Sequence, residues 1–341
     1  MSRLCHDAMR AAIVIVICVA VLAAPSTAHA ATLAVPLFAD RDIGDALAQA
    51  VQGLGSDTRH VEMGTSAMKA ACATAPGPTP RLALLTRDPS RTEIEACSQA
   101  AAAEVSTIRI GRQAVALVVP ANSPIWSISA AGLFRAIGQN SDEKPQPVNW
   151  SDVDPSYPHL PIGLLLPAAG SRAQRLLDTL IMAPGCERSG NVRMPFDLKN
   201  RVSFCGAMRS DIPLMQREAG ASAVATWAAS ASPGQIAIVT IGELRELDRR
   251  VVPLLLDGAL PTAANIESGR YPAAEQIELL IVVPHAAGQV QRSNARSFTF
   301  DLLAEASIGP TGSLTPAGLI PLPPPDRIAA RSHAVALLEQ P

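Results

Sequence analysis

From Thr32 to Val283, short apolar runs alternate with stretches whose apolar residues recur at helical spacing, and this alternation constrains the fold most. Thr32–Phe38 reads as a strand, and Ile43, Ala46, Leu47, Ala50 and Val51 then mark one helix face. Gly64-Thr65-Ser66 opens a second helical stretch, Ala67–Ala73, and Pro76, Pro78 and Pro80 mark a loop before the strand Arg81–Leu85. Thr92–Ala103 is helical, Gln113–Val119 is a strand ending at Pro120, and Ile128–Ile137 is a helix. Leu164–Met182 reads as a strand, a small-residue turn and an amphipathic helix. Ile236–Thr240, Val251–Leu256 and Ile277–Val283 are further strands, Phe298–Ala306 is a closing helix, and the end is Pro-rich. Strands alternating with helices imply an α/β fold with a mainly parallel sheet. Aromatic residues make up only 3% of the chain, so the cores must be built from Ala, Val, Leu and Ile.

The first thirty residues have the three parts of a secretory signal: an Arg-bearing start, an apolar run from Ala11 to Ala24, and the small-residue end Ala28-His29-Ala30. The run is short for a membrane span of about 20 residues, and cleavage after Ala30 leaves a soluble, exported chain. Ile17 before Cys18 does not suit a lipoprotein-type cut, so a free periplasmic protein is expected. About 310 residues remain, enough for two domains. With a formal net charge of −2 and no basic run interleaved with aromatics, nothing points to nucleic acid. Export leaves Cys72, Cys97, Cys186 and Cys205 in an oxidising compartment, which suggests two disulfides. Of the possible pairings, Cys72 with Cys97 and Cys186 with Cys205 is the simplest. The rival, a four-cysteine metal site, lacks any Cys-x-x-Cys pair.

In an α/β sheet, ligands bind beyond the carboxyl ends of the strands. Gly64-Thr65-Ser66 and Gly170-Ser171 put glycines and hydroxyls at strand-to-helix junctions, which suits a small oxyanion. The same hydroxyls serve equally as N-caps, worth about 1 kcal/mol each. Thr86 and Arg87 follow the strand Arg81–Leu85, which brings a hydroxyl and a cation to the same edge. Arg172 and Arg175 stand in the first turn of the Gly170 helix, where a cation opposes the helix dipole unless an anion or acidic side chain compensates. Enzyme readings find little support. Ser171 lies in Ala-Gly-Ser-Arg-Ala rather than a Gly-x-Ser-x-Gly elbow, and His60, His159 and His285 show no metal-ligand spacing. No cofactor or metal is expected.

The order of several stretches resembles the phosphate-binding protein family of ABC-type phosphate transporters. Met68-Lys-Ala-Ala-Cys72 with Glu95-Ala-Cys97 is similar to that family's disulfide-linked pair near its second ligand loop. Ile110–Pro120 resembles the strand that crosses into the second lobe, and Ile128–Ile137 and Trp150–Pro155 the segments after it. Pro233-Gly-Gln-Ile-Ala-Ile-Val239, Leu256–Thr262 and Ser268–Pro272 resemble later family segments. The resemblance implies a type II periplasmic binding protein: two α/β lobes, each with a mixed sheet, joined by two crossover strands, with an anion between them. Lobe I would comprise residues 31–118 plus 249–341, and lobe II residues 119–248. The implied site is Gly64, Thr65, Ser66, Thr86, Arg87, Gly170, Ser171 and Arg172. The implied partners are a phosphate-like oxyanion, a permease and an ATPase, with the chain itself a monomer. The ligand loops depart from the family pattern. Val35–Asp40 lacks the hydroxyls of the first loop, Pro167 stands where an arginine is expected, and Arg172-Ala173 replaces a Gly-Thr pair. A family member that has given up transport for an accessory role in the envelope is the alternative expectation.

Overall fold

The computed structural model describes residues 35–339 apart from 44, 55–60, 65, 74–77, 142–144, 191, 193 and 219, so the expected signal segment and Thr65 lie outside the described residues. Ten strands form one sheet: β1 Leu37–Asp40, β2 Val61–Gly64, β3 Arg81–Leu85, β4 Ala103–Pro120, β5 Leu164–Leu166, β6 Leu214–Gln216, β7 Ile236–Thr240, β8 Val251–Pro253, β9 Ala274–Pro284 and β10 Ile320–Pro321. Their order is β2-β1-β3-β9-β4-β7-β5-β6, with β8 and β10 also pairing β4. Parallel pairing joins β1 to β2 and β3 at one end, and β5 to β6 and β7 at the other. The two antiparallel strands between them, β9 and β4, make the sheet mixed.

The parallel strands owe their sequences to burial on both faces. Every residue of β3 is buried. Leu82 and Leu84 join an apolar cluster with Leu37, Ile281 and Phe298, while Ala83 and Leu85 join another with Met68, Ala71 and Leu280. A strand covered by helices on both sides has no solvent face, so it reads as a continuous apolar run. The third and largest cluster gathers residues from Ala114 to Ala273 together with Ile320, with Val115–Val119, Phe134, Trp150 and Ile236–Val239 at its heart. Trp150 is fully buried and donates its indole N–H to the Gly234 carbonyl at 2.8 Å. Tyr271 likewise donates its hydroxyl to the Val115 carbonyl at 2.8 Å, and burial raises the phenol's pKa above its ordinary value.

The two expected sheets share β4. This strand of 18 residues pairs with β9 along its first part and with β7 and β8 along its last, so hydrogen bonding runs unbroken across the molecule. Only its end is buried on both sides; several residues between Ala103 and Gly111 are partly exposed, and the apolar run from Gln113 marked the strand too short. At Gly111 the chain comes close to β10: a Cβ there would stand 2.9 Å from the Ile320 carbonyl oxygen.

Cys72 is bonded to Cys97 and Cys186 to Cys205, with Cα separations of 5.0 and 5.7 Å. The first bond ties the helix Ala67–Cys72 to Arg91–Ala101, and the second ties Ala183–Arg188 to Leu198–Gly206. The Pro-rich end packs on the body of the protein. Its prolines lead into a helix, Pro324–Glu339, which packs on the helix Gln289–Leu302 and buries Ala330, Ala334, Leu337 and Leu338 in the core. Proline is at home in a first helical turn, where its missing N–H would have no helical partner. Arg327 on this helix is buried and meets the Glu305 carboxylate at 2.8 and 2.9 Å. The expected closing helix Phe298–Ala306 starts earlier, at Gln289, and breaks after Leu302 before a short turn, Glu305–Ile308.

Candidate functional site

The parallel strands β1, β2 and β3 all end at one cavity of about 370 Å³, lined by Asp40, Arg41, Gly64, Ser66, Thr86 and Arg87. Their common direction produces this edge, because each strand end there releases its chain into a turn or helix. Ser66 caps the helix Ala67–Cys72, its hydroxyl accepting the Lys69 N–H at 3.2 Å. Asp40, the last residue of β1, lies opposite Gly64 in the sheet register. Its carboxylate accepts the Ala67 N–H at 2.8 Å and the Thr86 N–H at 3.4 Å. Arg87, on the lining of the same cavity, pairs with Glu93, with one bond of 2.8 Å between the fork and the carboxylate. That pairing, with bonds from Ser90, holds the Glu93 pKa down to about 2 and raises that of Arg87.

A second cavity, of about 700 Å³, lies beside the turn that contains Gly170, Ser171 and Arg172, and Arg41 borders both cavities. Gly170 has φ +70°, the left-handed region that glycine enters without a steric cost, and this turns the chain from β5 into the helix Arg172–Leu177. Ser171 caps that helix, accepting the Gln174 N–H at 3.3 Å. Arg172 pairs with Glu275 of β9 at 3.4 Å, and Glu275 also accepts from Gln113. Arg175 donates to the Gly170 carbonyl and, at 2.7 Å, to the Arg41 carbonyl. Arg217 is buried against Glu243 at 2.9 Å and donates to the Ile238 carbonyl at 3.2 Å.

Gly64, Ser66, Thr86 and Arg87 are therefore neighbours around one cavity, and Gly170, Ser171 and Arg172 around the other. The arginines in the Gly170 first turn have their compensation: Glu275 supplies the acid to Arg172, and backbone carbonyls accept from Arg175. The sequence reading missed Asp40, Arg41, Arg217 and Glu275 as residues of this region. Asp40 had a visible signal, an acid followed by a base at the end of the first apolar run. Arginines 41, 172, 175 and 217 face the larger cavity together with only two carboxylates among its lining residues, Glu243 and Glu246, so its lining favours an anion. No group of three or more His, Cys, Asp or Glu side chains among the described residues is arranged to hold a metal ion.

A mixed sheet flanked by helices, with parallel strands at both ends and long antiparallel strands between them, is the α/β fold of the type II periplasmic binding proteins. The chain belongs to the PBP superfamily, whose domain model matches residues 38–298. Among solved structures, a possible phosphate binding protein from Planctomyces limnophilus is similar with a TM-score of 0.62 and 15% identity, covering 90% of this chain and 99% of that one. The PstS protein of Borrelia burgdorferi follows at a TM-score of 0.56 and 12% identity, over 85% of this chain and 98% of that one. An ABC-type phosphate transport receptor from Vibrio cholerae has a TM-score of 0.50 and 16% identity, over 84% and 99%. At these identities the likeness is one of fold. No curated protein matches the chain in sequence.

Proposed function

We propose that the chain is a periplasmic solute-binding protein that takes phosphate or a related oxyanion in this cleft and delivers it to an ABC-type importer. The observation that carries the reading is the larger cavity, where Arg41, Arg172, Arg175 and Arg217 gather about the Gly170-Ser171 turn. Guanidinium forks present paired N–H donors that match the oxygens of a tetrahedral anion. Glu275 and Glu243 compensate Arg172 and Arg217. An arriving oxyanion exchanges one acidic partner of Arg172 for another. The phosphate-binding descriptions of the structurally similar proteins support the same ligand class.

The reading takes residues 31–118 and 249–341 as one lobe and 119–248 as the other; separate apolar clusters lie on either side of β4, and the larger one extends past residue 248 to take in Val251, Leu254, Leu256, Ile266, Tyr271 and Ala273. It includes export with cleavage after Ala30, a monomeric chain, and a membrane permease with its ATPase as partners. No helix of the described residues is long and apolar enough to cross a membrane.

Calorimetric titration of phosphate into the exported protein, refolded to strip carried-over ligand, tests the proposal, with sulfate and a phosphonate alongside. Phosphate binds, and Arg172→Ala weakens it by about ten- to a hundredfold, the loss of one charge-assisted hydrogen bond of about 1.5–3 kcal/mol. Silence from all three anions on a folded, disulfide-bonded sample would sink the reading.

A further inference from the structure

We infer that Asp40 is a specificity-determining residue, a tethered anion that occupies the donors of the smaller cavity and competes with any oxyanion entering there. The inference rests on the oxyanion reading of the cleft. Its observation is separate: the two carboxylate oxygens of Asp40 take N–H donors from two different elements, Ala67 at 2.8 Å and Thr86 at 3.4 Å. Those donors converge from the ends of β2 and β3 on the end of β1, where Asp40 lines the same cavity as Ser66, Thr86 and Arg87. Converging backbone N–H groups of this kind are what a bound anion uses, and here a side chain of the protein already uses them.

The charges around the cavity point the same way. Arg87 lies within electrostatic range of Asp40, but its guanidinium fork is engaged by Glu93. Ser66 spends its hydroxyl as a helix cap. A second anion in this cavity meets the Asp40 carboxylate with the Arg87 fork held by Glu93 and, among the described lining residues, only Arg41 at the border to offset the repulsion, so the oxyanion is directed to the four arginines around Gly170. Asp40 thus divides the cleft into a filled half and an open half. Removing its charge opens the filled half.

The test compares inorganic phosphate titrations of the exported protein, Asp40→Ser and Asp40→Asn. Serine removes the carboxylate and leaves the Ala67 and Thr86 donors open; Asp40→Ser binds phosphate at least tenfold tighter than the unsubstituted protein. Asparagine keeps one oxygen acceptor for the Ala67 N–H and loses the charge, so its affinity falls between the two. It also carries the test if the serine variant does not fold, as judged by thermal melting. If the unsubstituted protein binds phosphate and neither variant binds it tighter, the role of Asp40 is overturned and the oxyanion reading stands. If phosphate, sulfate and a phosphonate all fail with all three proteins, the oxyanion reading fails and this inference falls with it.

Discussion

Asp178 follows the helix Arg172–Leu177, half-buried, with its carboxylate accepting the Gln174 amide at 2.8 Å. A Cβ on Gly206 would stand 3.3 Å from that carboxylate, so the neighbouring helix leaves little room for water beside it. Burial pushes the Asp178 pKa up to about 6 from an ordinary 3.8. In this window the folded state keeps a proton that the unfolded chain has released, so the contribution of this group is most favourable near pH 4 and is lost as pH rises through 6. Asp178→Asn keeps an oxygen for Gln174 and removes the titration. Thermal melts are expected to show the variant more stable at pH 7.5 by about 3 kcal/mol, with the difference vanishing near pH 4. An equal shift at both pH values would locate the effect in packing rather than ionisation. Glu93 has the opposite sign, since Arg87 and Ser90 hold it down to about 2: its contribution is present above the ordinary glutamate range and fades as pH falls towards 2. Both partners are exposed, so solvent screens that contribution heavily.

Among the elements, the disulfides join helices that share a sheet face or a packing layer. The Cys72–Cys97 bond closes a loop of 25 residues and the Cys186–Cys205 bond one of 19. Each constrains the unfolded chain by about 3 kcal/mol on loop-entropy grounds. Reduction is therefore expected to lower the denaturation midpoint markedly, and Cys72→Ser with Cys97→Ser should reproduce about half of the loss. A melt indifferent to reductant would show that the bonds add nothing to stability. The elements that the sequence revealed are those whose burial is complete. Arg81–Leu85 and Ile236–Thr240 match residue for residue, because a strand covered on both faces declares itself as an apolar run. Val61–Gly64 and Leu214–Gln216 escaped, and they are the two ends of the sheet, each with one neighbouring strand. An edge strand so short carries no periodicity to read, and Met215 and Gln216 are exposed. The final helix escaped because its opening prolines look like loop punctuation. At the site, the glycines and hydroxyls were legible because cap chemistry is local. Their partners were not, since Asp40 lies 27 residues from Ala67 and Arg172 lies 103 from Glu275.

For the whole molecule, what matters is how the two regions flanking β4 are held together over the cleft. Arg175, on the helix Arg172–Leu177, donates to the carbonyl of Arg41 just past β1, a bond spanning 134 residues of sequence. Arg172 beside it is tied to Glu275 on β9. Both arginines line the larger cavity, so the groups that favour an anion also bridge the cleft. A charge-assisted bond to a backbone carbonyl is worth about 1.5–3 kcal/mol, comparable to the few kcal/mol that separate open and closed arrangements in many two-state proteins. Arg175→Ala removes the bridge to Arg41 without touching the apolar clusters. The ligand-free variant should then scatter X-rays with a larger radius of gyration than the unsubstituted protein, whose compact chain is expected near about 19 Å for its length. Added phosphate should restore the smaller radius, because the oxyanion supplies Arg41, Arg172 and Arg217 with a shared partner in place of the lost bond. Superimposable scattering curves for the two ligand-free proteins would show that β4 and the strands paired to it hold the cleft, and that Arg175 serves the ligand alone.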